Sequence, residues 1–473
     1  MKKIYINSIN VILVFAFIIL QGCEKGFLET QPTDSVSKID VFESAESARG
    51  VLISVYRSWR EPASLYAGLT YLHLSSDAKG PDFQKRVNYE QEIAYSAFNP
   101  EGGAVRYPWV LLYSSINRIN DLLANLDGVS GTLDEIDKIR GEALAMRGFS
   151  YFELIRRYQH TYAIAKDMPG VPIYNQPTTA ETQGNPRSSV SEVYAQILSD
   201  LTQAASLMNT ARAQKGYFNI NVVNAILARV YLTMEDWTNA IKYAQLARNG
   251  YPLMSAVQWQ GGFMDIGNSE WIWGQNNSAE ENQGQGSASA QMTPFAVAQW
   301  IWASDTLVSL YSDTDIRGKL IIRQNNQYNN FKFQMASPQY SGDYPYIRSA
   351  EMYLIEAEAM AKSGNDPGAQ DALYVVQFRA DPDAVKSVAT GQVLTDEIIL
   401  EKRKEFWGEG VYFFDMLRNQ MPLKRDLTHQ ARLHFPANSW AFILPIPERE
   451  LLINKSLDRT TDQNPLTGVY TGN

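Results

Sequence analysis

Four histidines, His73, His160, His429 and His434, have the broadest chemical range in this chain, and none lies in a zinc-binding spacing such as HExxH. There is no G-x-S-x-G elbow. The glycines of Gly284-Gln285-Gly286 sit in a polar run with no helix start behind them, so no phosphate loop is spelled out either. Two carboxylates could converge on a glycosidic bond, but abundant Asp and Glu on helix faces need no catalytic explanation. The reading is therefore not an enzyme, and no cofactor or metal is expected. What remains is aromatic surface. The chain holds 26 tyrosines and 10 tryptophans, more than packing usually demands, and half of those tryptophans (259, 271, 273, 300 and 302) fall within residues 251–302. A second cluster, with Tyr66, Tyr71, Phe83, Tyr89, Tyr95 and Phe98, lies in residues 61–103. Flat rings flanked by Asn, Asp, Gln or Arg suit a ligand that has an apolar face and a rim of hydroxyls, as a sugar does.

The one cysteine points to a different chemistry. Lys2 and Lys3 precede an unbroken apolar run over residues 11–20, and Leu20-Gln21-Gly22-Cys23 follows at once. Ten apolar residues are too few to span a bilayer and match the core of a signal peptide. This arrangement resembles the lipobox of bacterial lipoproteins, in which the cysteine thiol is diacylated and the new amino terminus acylated after cleavage. It implies a signal peptide over 1–22, a lipidated Cys23 and a polar tether over 23–38. Several acyl chains on one residue suffice for stable membrane anchoring, where one would not. With 42 Lys and Arg against 51 Asp and Glu, the chain is acidic, which argues against nucleic acid as a partner.

The elements that must position these residues are mostly helices. Residues 221–252 read as a hairpin: Leu227, Ala228 and Tyr231, then Ala240, Ala244 and Ala247, recur at helical spacing on either side of a break at 234–237, and Pro252 stops the second helix. Alanine at the contact lets two backbones approach closely. Ala228, Tyr231, Ala240, Ala247 and Pro252 also fit the tetratricopeptide spacing, the alternative being an ordinary helical hairpin. Since one such repeat leaves an apolar face open, neighbours are required. Helical periodicity recurs over 44–60, 105–126, 133–158 and 189–208, the last with Ser189 as cap, and again over 348–363, 367–379 and 397–418. Residues 61–103 read as loop-rich and 275–291 as a long exposed loop. Trp271 and Trp273, two apart on a strand, read as core, as do Trp109 and Trp407 on helices. The charged run 401–405 reads as a solvated or ion-paired helix face.

Several of these stretches together resemble the SusD/RagB family of outer-membrane lipoproteins from the Bacteroidetes. Phe27-Leu28-Glu29-Thr30-Gln31-Pro32 is similar to the family's start, and Arg348-Ser349-Ala350-Glu351-Met352-Tyr353-Leu354-Ile355-Glu356-Ala357-Glu358-Ala359 to its most recognisable helix. Glu401-Lys402-Arg403-Lys404-Glu405, Glu409-Gly410 and Phe413-Phe414-Asp415-Met416-Leu417-Arg418 resemble its charged C-terminal segment. Leu444-Pro445-Ile446-Pro447 and Gln463-Asn464-Pro465 resemble its close, with Leu466-Thr467 in place of the usual Gly-Tyr, and Gly468 and Tyr470 displaced.

The resemblance implies a mainly α fold: about four tetratricopeptide-like helical hairpins as scaffold, a loop-rich ligand-binding face and short strands. It implies an N-terminal helical region over 39–250 and a C-terminal region over 251–473, packed as one unit. It also implies a lipid-anchored outer-membrane protein that captures oligosaccharide or polysaccharide and delivers it to a SusC-like TonB-dependent transporter, peptide capture being the alternative. A surface hydrolase or a repeat scaffold for protein partners would be further readings. The family's site lies on the face built by the segment after the first helix and the loops past mid-chain. Here that implies Trp300, with Trp302 or Tyr89, stacking on the sugar, and Asp77, Asn276 and Asn277 hydrogen-bonding its rim.

Overall fold

The computed structural model describes residues 42–61, 66–85, 89–96, 99–278, 281–292, 301–324, 327–334 and 342–470. The leader, Cys23, the tether, Phe98 and Trp300 lie outside the described residues. Helix α1 (Ala45–Trp59) starts at Ser44, whose hydroxyl accepts from the Ser47 N–H while the Ser47 hydroxyl accepts from the Ser44 N–H. Such a reciprocal cap satisfies two amide donors that a helix start leaves open. Helix α2 (Gly68–Lys79) and helix α3 (Gly103–Asn125) follow, and the same device opens α4 (Leu133–Tyr158) through Thr132 and Glu135 and α5 (Val190–Leu207) through Ser189 and Glu192.

Helices pair as hairpins in chain order. α1 packs on α3 and α4 on α5. Then α6 (Ile220–Thr233) packs on α7 (Trp237–Arg248), and α8 (Ser349–Lys362) on α9 (Asp366–Ala380). In the central hairpin, Leu227, Ala228, Ala240, Ala244 and Ala247 are fully buried, and the Tyr231 ring stacks on Tyr243 at 5.4 Å. Asp236 caps α7 by accepting from the Asn239 N–H. Close approach recurs between α4 and α5, where a methyl group on Gly148 would lie 3.0 Å from Leu201 Cγ. The hairpins continue one onto the next, α7 packing against α8, so each apolar face left open by one pair is covered by another.

Strands are short. β1 (Phe83–Lys85) is the first; β2 (Pro169–Pro172) pairs β3 (Arg187–Ser189); β4 (Trp271–Gln275) pairs with β8 (Tyr344–Arg348). β5 (Ile301–Ala303), β6 (Ile321–Gln324) and β7 (Gln327–Asn330) join β1 in an antiparallel sheet ordered β1-β5-β7-β6. Trp271 and Trp273 are buried in the β4–β8 pair and Trp109 on α3, as their positions implied; Trp407 is buried as expected, but in the turn at 407–410 and not on a helix.

Three expectations change. Residues 61–103 are not simply loop: α2 lies inside them with every residue buried. A helix enclosed on all sides carries no amphipathic period, which is why its sequence looked patternless. Several of its polar groups are satisfied, Thr70 donating to Gln275 Oε1 and Ser76 to the Leu72 carbonyl. The polar stretch 275–291 is not an exposed loop either, since Gln275, Asn277, Gln283, Ser287, Ser289 and Gln291 are buried. Amide side chains cap backbone there, Gln283 donating to the Ala67 carbonyl at 2.6 Å, so the run is polar without being solvated. The helix expected over 397–418 is two, α10 (Gly391–Glu405) and α11 (Tyr412–Arg418). Gly408 and Gly410 separate them at φ +82° and +73°, and a Cβ on Gly410 would come within 2.6 Å of His73 Cα.

The charged motifs of α8, α10 and α11 face inward. Arg348 is fully buried and bonds Glu270, Glu405 (3.1 Å) and Glu409 (2.8 Å). Arg317 spans Asp315, Glu401 and Glu405 at 2.5 to 2.9 Å, and Arg379 bridges Glu270 and Glu405. Lys402 and Arg418 both meet Glu358 and Asp415. Burial alone would push the Glu405 carboxyl up, yet the Arg379, Arg348 and Arg317 guanidiniums hold it well below the usual carboxylate range. The run 401–405 is thus ion-paired rather than solvated, with Glu401, Lys402 and Glu405 buried.

Candidate functional site

The two segments named by sequence do meet. β1 pairs with β5 in register, Phe83 opposite Ala303, Gln84 opposite Trp302 and Lys85 opposite Ile301. Gln283 reaches the start of α2 and Thr70 of α2 reaches Gln275, which sews 66–85 to 271–292 a second time. Along β5, Ile301 and Ala303 are buried while Trp302 points to the other side and is half-buried. On that strand pair the ring has the partial exposure that stacking requires.

Behind β1 lies a nest of tyrosines. Tyr66 stacks on Tyr107 at 4.9 Å and meets Tyr71 edge-on, and Tyr71 stacks on Tyr89 at 5.6 Å. The Tyr71 hydroxyl donates to Glu92 Oε1 at 2.5 Å, and the Lys85 ammonium lies 5.0 Å from the Tyr89 ring centroid. Burial raises the Tyr71 and Tyr89 hydroxyls well above their ordinary range, with the nearby Glu92 charge adding to it. Tyr89 and Tyr95 bracket residues 90–94 at φ +50° and +52°, backbone that a bulky residue adopts only when its surroundings impose it.

The individual residues fare unequally. Tyr89 is 3% exposed, and its hydroxyl has no hydrogen-bond partner among the described residues, so it lines the interior of the nest instead of presenting a face. Asp77 is buried on α2, where a carboxylate oxygen accepts from the Gly410 N–H at 2.9 Å; it holds the α10–α11 turn rather than a ligand rim. Burial lifts its pKa to about 7. Asn277 is buried too. Its N–H donates to Asp343, its side chain donates to the Gly342 carbonyl at 2.8 Å, and it accepts from Gln275. Asn276 is half-buried and donates to Gln214 at 3.4 Å, away from the β1–β5 pair. Trp302 and Asn276 therefore keep accessible surface, and Asp77, Asn277 and Tyr89 are spent on packing. Trp300 lies outside the described residues.

Sequence reasoning missed a run of rings on α3. Tyr107, Trp109 and Tyr113 line open cavities with Tyr66 and Tyr174, and the signal available was the spacing of Gly103, Tyr107, Val110, Tyr113 and Asn117 on one helix face. Among the described residues no group of three or more His, Cys, Asp and Glu side chains is placed to hold a metal ion, and no helix is long and apolar enough to cross a membrane.

Comparison with known proteins adds an independent line. Residues 27–232 match the protein family described as "Starch-binding associating with outer membrane", and residues 265–466 match the one described as "SusD family". A SusD-like protein of Formosa agariphila is 22% identical over 88% of this chain and 92% of its own length. Among solved structures, a SusD-like carbohydrate-binding protein from Bacteroides vulgatus superposes with a TM-score of 0.82 at 28% identity, covering 91% of this chain and all of that one. A SusD superfamily protein from Bacteroides thetaiotaomicron superposes at 0.78 with 25% identity, covering 89% of this chain and all of that one.

Proposed function

This chain belongs to the SusD/RagB family, and from that premise we propose that it captures glycan at the cell surface and passes it to a SusC-like TonB-dependent transporter. The observation that carries the reading is the half-buried Trp302 on β5, clamped to β1 at the junction of the two aromatic segments. A ring fixed on a strand gives a rigid stacking surface, and rigidity lowers the entropy lost on binding. Trp300 is proposed as its neighbour in the site, with Asn276 serving a more distant part of the ligand.

Capture without chemistry fits the carboxylates. Asp77 and Asp343, the latter raised by burial to about 6, each accept backbone N–H bonds and are tied down by them. The anchor in this proposal is Cys23, lipidated and followed by the tether, which would hold the helical scaffold at the outer membrane and the loop face toward the medium.

The test is to screen the purified protein against an array of neutral and acidic oligosaccharides and of peptides, then to titrate the best binder. Wild-type protein should bind a glycan and leave it intact on chromatography. Trp302→Ala should weaken binding about ten- to hundredfold with an unchanged melting midpoint, since binding energy concentrates in aromatic anchors. Peptide binding alone, or turnover in proportion to protein, would replace this reading.

A further inference from the structure

A groove runs along α3, beside the last helix, α12 (Glu448–Ile453). Two cavities, of about 420 and 340 Å³, share Glu450 and Ile453 and so form one trough. The first is floored by Tyr66, Tyr107, Trp109 and Val110; the second by Tyr113 and Tyr174, with Asn117 and Thr178 on its wall. The α3 residues along it, Gly103, Tyr107, Val110, Tyr113 and Asn117, recur at three to four residues and span about 20 Å at the helical rise.

The rings are held by their polar tips, leaving their carbon surfaces to the trough. The Tyr107 hydroxyl accepts from the Gly68 N–H at 2.8 Å, the Tyr113 hydroxyl donates to the Pro172 carbonyl at 2.7 Å, and the Tyr174 hydroxyl accepts from the Asn185 N–H at 3.1 Å. Trp109 Nε1 donates to Glu450 at 3.3 Å, and Asn454 donates to the same carboxylate at 2.9 Å. Glycines stand where those side chains lean in. A Cβ on Gly103 would lie 2.2 Å from the Tyr66 hydroxyl, and one on Gly184 2.1 Å from Asn454 Oδ1, so both ends of the trough depend on a missing side chain.

Its charge is the informative part. Many arginines of this protein are paired with carboxylates, among them Arg147, Arg317, Arg348 and Arg418, whereas Arg106 and Arg449, both exposed and both lining the first cavity, enter no ion pair or hydrogen bond among the described residues. Glu450, the carboxylate between them and the second cavity, is already occupied by Trp109 and Asn454. On a chain of net charge −9 this leaves two guanidiniums beside an aromatic floor. Guanidinium is the side chain best matched to a planar carboxylate or a sulfate, through paired N–H donors.

We propose that the α3 trough is a second carbohydrate site, selective for oligosaccharides bearing uronic acid or sulfate groups. The sugar rings lie on the partly exposed Tyr107 and Tyr113, with the buried Trp109 backing them, and the acid groups pair with Arg106 and Arg449. The walls are a helix face and the 174–184 segment, not a strand edge, so an extended peptide would find no backbone ladder to join. The proposal rests on the carbohydrate-binding reading and extends it to a distinct surface.

The full-length chain, the Arg106→Gln/Arg449→Gln double variant and Trp302→Ala should each be probed on an array of matched neutral, uronic and sulfated oligosaccharides. Both arginines are exposed, so the double variant should melt with the parent protein. Acidic glycans should bind the parent, lose affinity about ten- to hundredfold in the double variant, weaken with added salt, and be unaffected by Trp302→Ala. Equal binding by the double variant overturns the proposal, as does equal binding of neutral counterparts in the trough. Binding of neutral glycans that only Trp302→Ala abolishes leaves the proposed function standing and removes the second site. No glycan bound by any form removes both, and arginine-dependent capture of anionic lipid vesicles or peptides in place of sugars assigns the trough to another partner.

Discussion

At the scale of single residues, the polar groups that look functional in the sequence are mostly structural. Asp77 shows the logic. Burial raises its pKa from 3.8 to about 7, so the folded protein holds a proton there that the unfolded chain releases. Its contribution therefore favours folding below the unfolded value and is lost as pH rises from 3.8 to about 7. Asp77→Asn keeps an oxygen for the Gly410 N–H without the charge. It should raise stability on the order of 1 to 3 kcal/mol at about pH 8 and give little near pH 4. Denaturant unfolding at both pH values checks this; a loss at the higher pH would mean that the carboxylate is ionised and needed there. Arg348 is the opposite case. Removing it as Arg348→Met takes one buried partner from each of Glu270, Glu405 and Glu409, which keep only Arg379, Arg317 and Lys332 between them, an expected loss of about 3 to 5 kcal/mol, read from the same curves.

Elements are held by two local devices, caps and small-residue contacts, and each predicts a modest, measurable cost. Ser189→Ala removes the hydroxyl that accepts from the Glu192 N–H at the start of α5, while the Ser189 backbone N–H still donates to the Glu192 carboxylate, and should lower stability by about 0.5 to 2 kcal/mol. Ala240 is wholly buried in the central hairpin, so Ala240→Leu should cost about 1 to 3 kcal/mol through overpacking. An unchanged melting midpoint for the leucine variant would show that α6 and α7 have room between them. The split of the expected 397–418 helix belongs at this scale too. Gly408 and Gly410 adopt positive φ so that the chain can turn beneath α2, and a local propensity argument has no access to that neighbour.

At the scale of the whole molecule, the scaffold and the ligand surfaces are separate inventories. The ion-paired motifs of α8, α10 and α11 join the C-terminal half internally, and Arg403 ties it to the aromatic loops through Asp82 at 2.6 Å. The chain's close is docked as well: Asn464 donates to the Tyr158 and Leu444 carbonyls, and Tyr470 stacks on His160 at 5.4 Å despite its displaced position in the motif. Cys23→Ala, by removing the chain's only thiol, should release the protein from the outer-membrane fraction. Fractionation that leaves the variant in the membrane would assign anchoring to something else.

What the sequence determined by itself was whatever is written locally. The spans 133–158 and 190–207, the hairpin broken at 234–236 and the α8–α9 pair were legible because caps and a 3.6-residue period are read within a few turns. The family motifs were legible as strings, and the pairing of the two aromatic segments followed from them. Only the tertiary structure decided which side chains are free. Asp77 is claimed by Gly410 from 333 residues away, and Asn277 by Asp343 from 66. The trough gathers Tyr66, Tyr113, Tyr174 and Glu450 from four separate stretches of chain. Exposure of a ring or a carboxylate depends on what packs over it, and in a fold built of stacked hairpins with loops crossing between them, that neighbour is rarely close in sequence.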